Sequence, residues 1–168
     1  MYRRILAAID GSETSIRALD EALRLARENH AELRPLYTVD APLMAYEAPG
    51  YDPSILRDAM LSEGTRVTND ALGRMHRDNV RGVAQVAEAD LYGDGIAQRI
   101  LLVATEMNAD LVVMGTHGRR GFQRLVLGSV AERFVRMACC PVLLIPAEHA
   151  AAGSSPGQDA AAPVAEPV

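Results

Sequence analysis

Five short apolar runs, each stopped near a Gly, Asp or Pro and separated by segments of helical period, constrain most what this chain can fold into. Arg3 to Asp10 (RRILAAID) runs into an acid and a glycine and suits a buried strand. Ile16, Leu19, Leu23 and Ala26 then recur at helical spacing, with Arg17, Glu21, Arg24 and Glu28 turned away. That spacing predicts an amphipathic helix with Ser12 placed to cap it. Leu33 to Val39 reads as a second strand, and a loop carrying Pro42, Pro49, Gly50 and Pro53 leads into a polar helix from about Ser54 to Asp78. Val83 to Leu91 alternates like a third strand, Ile96 to Met107 is helical, and Leu111 to Met114 is a fourth strand. Val130, Phe134 and Met137 mark a last helix before a fifth strand, Pro141 to Ile145. Such alternation predicts an α/β fold: an open, five-stranded, doubly wound parallel sheet with helices on both faces and right-handed crossovers. Ligands bind such sheets beyond the carboxyl ends of the strands, where strand order reverses. Asp10-Gly11-Ser12, Thr38-Val39-Asp40, Tyr92-Gly93-Asp94 and Gly115-Thr116-His117-Gly118 are the segments expected there.

Composition removes several chemistries. All 17 basic residues are Arg and none is Lys, which excludes the Walker A lysine, Schiff bases and lysine general bases. The net charge of −5 argues against a general nucleic-acid binder, and the absence of Trp leaves few platforms for stacked bases. No apolar run approaches the roughly 18 residues of a membrane helix, and no signal peptide is expected at the start of the chain. Cys139 and Cys140 are adjacent, giving neither a disulfide framework nor a C-x-x-C pair, so the reducing cytoplasm is the expected compartment. Ala150 to Val168 holds seven Ala and three Pro in nineteen residues. It lacks the apolar surface to offset its ordering entropy, so residues 148–168 are expected to be a disordered Ala/Pro-rich tail behind a domain of residues 1–147. Without Glu148, Asp159 and Glu166 the body carries 19 acids against 17 Arg, so part of the acidity belongs to the tail.

The glycine-rich stretch after the fourth strand carries the sharpest signal. Gly115 and Gly118 leave that strand, and Gly128-Ser129 opens the last helix. Glycines let a backbone approach a ligand closely and adopt positive φ, so that N–H groups can point at phosphate oxygens. Gly128, Ser129 and Val130 would present unpaired N–H groups at a helix N-terminus, where the dipole favours an anion. Arg119, Arg120 and Arg124 lie between and add positive charge. On physics alone this predicts a phosphate-bearing ligand held without a lysine. A plainer reading stands beside it: Ser129-Val130-Ala131-Glu132 is also a capping box, and Gly115 and Gly118 also suit a plain turn.

The stretch ADLVVMGTHGRRGFQRLVLGSVAERFVRMACCPVLLIP, from Ala109 to Pro146, resembles the universal stress protein family. Its nucleotide-binding members carry G-x2-G-x9-G-[S/T], matched here by Gly115, Gly118, Gly128 and Ser129. The opening RRILAAIDGSETS, the LYTVD of Leu36 to Asp40 and the YGDGIAQRI from Tyr92 are similar to that family's other strand ends. The resemblance implies a Rossmann-like fold of the adenine-nucleotide α-hydrolase type and a bound adenine nucleotide (ATP, ADP or AMP) with Mg²⁺ bridging its phosphates. It implies Asp10 beside adenine and ribose, Thr38 meeting adenine through its backbone, and Gly115 facing the ribose and α-phosphate. Gly118, Gly128, Ser129 and Val130 would hold the phosphates. It also implies a homodimer formed through the last strand, Val142 to Ile145.

Other residues read more plainly. Asp10 lacks the second acid of an Asp-x-Asp nucleophile motif, because Ser12 stands there. His117, with no base partner in the sequence, reads as a loop residue rather than a catalyst, and Cys140 as a small buried hydrophobe. The methionines form no stripe that demands a cofactor. With no nucleophile, base or lysine in view, the expected function is an ATP-binding regulatory module of stress response with no catalytic residues and at most slow hydrolysis. The alternative is an interaction module of the same fold that binds no nucleotide.

Overall fold

A computed structural model describes residues 1–40, 52–89, 95–118 and 127–147. The elements follow in the order β1 (Arg4–Ile9), α1 (Glu13–Asn29), β2 (Glu32–Val39), α2 (Pro53–Arg77), β3 (Gln85–Glu88), α3 (Gly95–Glu106), β4 (Leu111–Gly115), α4 (Ser129–Met137) and β5 (Val142–Ile145). The five strands form one sheet in the order β3-β2-β1-β4-β5, with every pairing parallel. The chain winds outward from β1 through β2 to β3, then returns to β4 on the other side of β1. The switch point therefore lies between β1 and β4, where two neighbouring strands lead away to opposite sides. The loop from Ala41 to Tyr51, the Asp90 to Asp94 segment, Arg119, Arg120, Arg124 and the tail lie outside the described residues.

β1 shows why the alternation was legible. Ile5, Ala7 and Ile9 join one core with α1 and α2, while Leu6 enters a second core with α3 and α4. A strand covered on both faces has to be apolar throughout, and RILAAI is so after its first residue. The second core closes around Phe134 of α4, fully buried at 0% exposure, with Ile100, Val103, Val112 and Met114. Cys140 packs half-buried against this core, and burial is the main cause that pushes its thiol pKa up. That is the environment of an inert small hydrophobe.

Two expectations about the elements change. Ile16 is 45% exposed; the buried stripe of α1 runs instead through Ser15, Ala18, Leu19, Ala22, Leu23 and Ala26. At about 100° per residue, Ile16 lies roughly 90° from the centre of that stripe. Ser15 takes the inward position because its hydroxyl is used there, accepting from Asp10 N at 3.2 Å and donating to Ser12 O at 3.0 Å. Ser12 does cap the helix, its hydroxyl accepting from Ser15 N at 3.3 Å. The third strand is shorter than its alternation predicts: the ladder with β2 runs from Gln85 to Glu88, beyond an isolated bridge of Gly82 to Leu33, and Val83 is 54% exposed. Gly82, at φ +145°, lies just before the predicted run. A β-carbon there would stand 1.8 Å from the Leu33 carbonyl oxygen, so only glycine fits.

Candidate functional site

The carboxyl ends of β1, β2 and β4, with the start of α4 and part of α3, enclose a cavity of about 400 Å³. Asp10, Thr38, Gly115, Gly118, Gly128, Ser129 and Val130, drawn from four separate parts of the sequence, all line it. Its volume falls within the range of small-molecule sites, roughly 300–1,000 Å³. Ala8, Leu36, Ile96, Ile100 and Met114 give it an apolar side, and the α4 end gives it a polar one.

Asp10 follows the last residue of β1. Its Oδ1 accepts the Ser12 N–H at 2.9 Å, which ties the carboxylate to the turn into α1. Thr38 is the first residue of β2 past the β1 ladder, whose last pair is Ile9 with Tyr37, although it still pairs with Ala87 of β3. Its hydroxyl is buried and has no hydrogen-bond partner.

The glycines earn their positions by packing, which corrects one expectation. None of Gly115, Gly118 and Gly128 has a positive φ. A β-carbon on Gly118 would stand 2.6 Å from Asp10 Oδ2, and one on Gly128 would stand 2.9 Å from Thr116 O. Gly118 is thus pressed against the β1 end, and Gly128 against Thr116.

A second correction concerns the mouth of α4. The Gly128 N–H is not available to a ligand, because it donates to Thr116 O at 2.7 Å. Gly128 is the N-cap residue, and its carbonyl accepts Glu132 N at 2.9 Å. Ser129 is therefore the first helical residue, exposed, and no side-chain cap bond forms. The capping-box expectation fails because Glu132 pairs with Arg136 at 2.8 Å rather than reaching back. The N–H groups without an intrahelical acceptor are those of Ser129, Val130 and Ala131, one residue later than expected.

Thr116 is the hinge point of this wall. Its N–H donates to Ile145 O at 2.8 Å, its carbonyl holds Gly128 N, and its hydroxyl lies 2.9 Å from His117 Nδ1. His117 Nε2 is buried and has no partner. Buried polar atoms without partners are uncommon and costly in folded proteins. Two of them, Thr38 Oγ1 and His117 Nε2, belong to residues that line this cavity.

Sequence reading missed the side that α2 and α3 supply. Met60 of α2 lines the cavity, as do Ile96 and Ile100 of α3. One turn before Met60, Arg57 grips the Glu88 carboxylate with two bonds of 2.7 Å, and Arg99 donates to the Glu88 carbonyl at 2.5 Å. Glu88, at the end of β3, thereby ties together helices lying on opposite faces of the sheet. The Arg57 guanidinium is the main cause that holds its carboxyl below the usual glutamate range. No spacing signals this clasp, because its three residues lie far apart in sequence. Among the described residues no three His, Cys, Asp or Glu side chains gather as a metal site. None of the described helices is long and apolar enough to cross a membrane.

Comparison with known proteins agrees with this architecture. A solved structure of a universal stress protein family member from Burkholderia pseudomallei is 47% identical, with a TM-score of 0.73, covering 87% of this chain and 97% of that one. A universal stress protein of Methanocaldococcus jannaschii is 34% identical over 146 residues, 86% of this chain and 82% of its own length. More distantly, the universal stress protein of Archaeoglobus fulgidus in complex with dAMP shares the fold, at 21% identity and a TM-score of 0.62, covering 86% of this chain and 98% of that one. The sequence pattern of the universal stress protein family spans residues 1–146, and the chain belongs to that family.

Proposed function

We propose that the cavity holds an adenine nucleotide, ATP with Mg²⁺ foremost, and that the protein is a nucleotide-binding regulatory module of stress response. The observation that carries this reading is the convergence of Asp10, Thr38, Gly115, Gly118, Gly128, Ser129 and Val130 on one cavity at the switch point. The adenine lies against the apolar side by Leu36, Ile100 and Met114, beside the end of β2 at Thr38. Asp10 and Gly115 border the ribose. The phosphates sit at the start of α4, where the Ser129, Val130 and Ala131 N–H groups and the helix dipole favour an anion. Gly118 and Gly128 leave room for them. The dAMP held by the Archaeoglobus fulgidus relative supports an adenine nucleotide as the ligand class.

Mg²⁺ commonly binds through one or two carboxylates with phosphate and water oxygens, so a lysine-free site without a three-acid cluster still accommodates it. When bound it neutralises phosphate charge; the chain's own residues hold and orient the nucleotide. The Thr116 hydroxyl lies 2.9 Å from His117 Nδ1, but the other ring nitrogen has no partner to orient it as a base, so hydrolysis is slow. Among the described residues β5 pairs only with β4, and its apolar Val142, Leu143, Leu144 and Ile145 are all half-buried. An apolar edge strand of this kind needs a cover, and a second copy of the chain supplies it in a homodimer.

The test is to denature freshly purified protein and identify the released nucleotide by chromatography. ATP or ADP near one per chain is expected. A protein that is empty and gains no thermal stability with Mg-ATP would instead be an interaction module, its glycines explained by packing alone. Light scattering of wild type and Leu144→Glu tests the dimer, and a wild type of monomer mass refutes it.

A further inference from the structure

We propose that the Asp40 carboxylate reads the exocyclic amine of the adenine, which makes Asp40 a specificity-determining residue of this site. This rests on the adenine-nucleotide reading above and names the group that chooses the base. Val39 pairs with Glu88 of β3, and its carbonyl accepts Ala89 N at 2.7 Å. The peptide leading into Asp40 is therefore still held as extended strand. Side chains of a strand alternate between its two faces, so Asp40 shares the face of Leu36 and Thr38. All three line the cavity, whereas Val39 between them belongs to the first core at 1% exposure. Along this face Leu36 is buried, Thr38 half-buried and Asp40 exposed. The carboxylate thus stands at the cavity's rim, about 7 Å along the strand from Thr38.

Hydrogen-bonding chemistry selects the partner. An ionised carboxylate only accepts, and the base of an adenine nucleotide carries hydrogen on one nitrogen alone, its exocyclic amine; the ring nitrogens accept. With the adenine on Leu36, Ile100 and Met114, its outer edge faces the end of β2, where Asp40 stands. The ribose hydroxyls, the other donors of the ligand, lie by Asp10 and Gly115, toward β1 and β4. Asp10, the second carboxylate lining the cavity, is already engaged. Its Oδ1 accepts Ser12 N–H at 2.9 Å, and its Oδ2 lies hard against Gly118. Charge favours the same orientation. Asp40 puts a negative group at the end of the cavity away from the positive start of α4, so phosphates are drawn to α4 and the base is left to β2.

Full-length wild type and Asp40→Ala are titrated calorimetrically, with excess magnesium, against ATP, purine riboside triphosphate, which lacks the amine, and deoxy-ATP. The preference for ATP over the purine analogue is expected to be about tenfold greater in wild type, the value of one hydrogen bond to a charged group. Asp40→Asn, whose amide oxygen still accepts, is expected to keep part of that preference. The residue is exposed and lies past the last residue of β2, so both variants should melt as wild type does. Wild type alone also decides, with no variant to fold: equal affinity for ATP and the purine analogue overturns the assignment. So does the same preference in wild type and Asp40→Ala, which leaves nucleotide binding intact. A preference that changes between ATP and deoxy-ATP instead would put the carboxylate on the ribose and overturn the amine. A wild type that binds no ATP overturns the nucleotide reading, and this inference with it.

Discussion

The two ends of the cavity are built by different means. At the α4 end the wall is mostly backbone, from one stretch of sequence: Gly115 to Gly118, then Gly128 to Ala131. At the opposite end the wall is side chains from β2, α2 and α3, brought together only by the fold. A backbone site demands small residues at fixed spacing, so it leaves a mark in the sequence. A side-chain site assembled from several elements leaves none, because Leu, Ile and Met there look like any other core residues. The α4 end suits the part of a ligand that is always the same, a phosphate. The side-chain end is where neighbouring sequences are able to differ in what they accept.

The largest expected effect strikes the backbone end. Gly128→Val places a side chain where even a β-carbon would lie 2.9 Å from Thr116 O, so the cap of α4 must shift. Losing two charge-assisted bonds to phosphate, at about 1.5 kcal/mol each or more, weakens ATP binding by at least about 100-fold in calorimetry. The variant also melts lower, because the collision is with the protein itself. Unchanged affinity would show that the backbone end carries no ligand. Phe134→Ala, deep in the core that seats α4, should lower stability by about 3–5 kcal/mol in urea unfolding. Its effect on ATP should follow only from the loss of folded protein.

Glu88→Gln sharpens the contrast from the other side. The Arg57–Glu88 pair is partly exposed, so its loss costs at most about 1 kcal/mol of stability. It loosens α2 and α3 around the base, so ATP affinity should fall several-fold while binding of inorganic triphosphate stays the same. Equal losses for both ligands would erase the distinction between the two ends. The pair's own titration gives a further check. A carboxyl depressed in the folded state adds stability that is fully present above its unfolded value, about 4.3, and is lost as pH falls through the folded one. Thermal melts of Glu88→Gln and wild type should therefore keep a constant difference from pH 5.5 to 8 and converge only in stronger acid. The smallest effect belongs to Ser129→Ala. A capping serine would cost about 1 kcal/mol on removal, but this side chain caps nothing. Its loss should change stability by less than about 0.5 kcal/mol.

Periodicity located all nine elements of the described residues because the sheet is covered on both faces and each helix on one. It erred where a local bond outranked hydrophobicity. Ser15 displaces Ile16 from the buried stripe of α1 because the turn after β1 needs its hydroxyl. Val83 and Ala84 stay outside the third strand although the alternation alone reads through them. At the site, the spacing of Gly115, Gly118 and Gly128 was readable, whereas the use of each N–H was not. Gly128 gives its own to Thr116, and Glu132 prefers Arg136 to the cap, choices that depend on three-dimensional neighbours. Met60, Arg57 and Glu88 were invisible for the same reason.

Thr116 is one residue with two owners. Its N–H is held by Ile145 at the end of the edge strand, and its carbonyl by Gly128 at the start of α4. Two peptide planes meet at its Cα, each pinned by one of these bonds, so only the φ and ψ of this single residue separate the two anchors. Whatever settles on the open edge of β5 stands one residue's backbone away from the wall of the cavity.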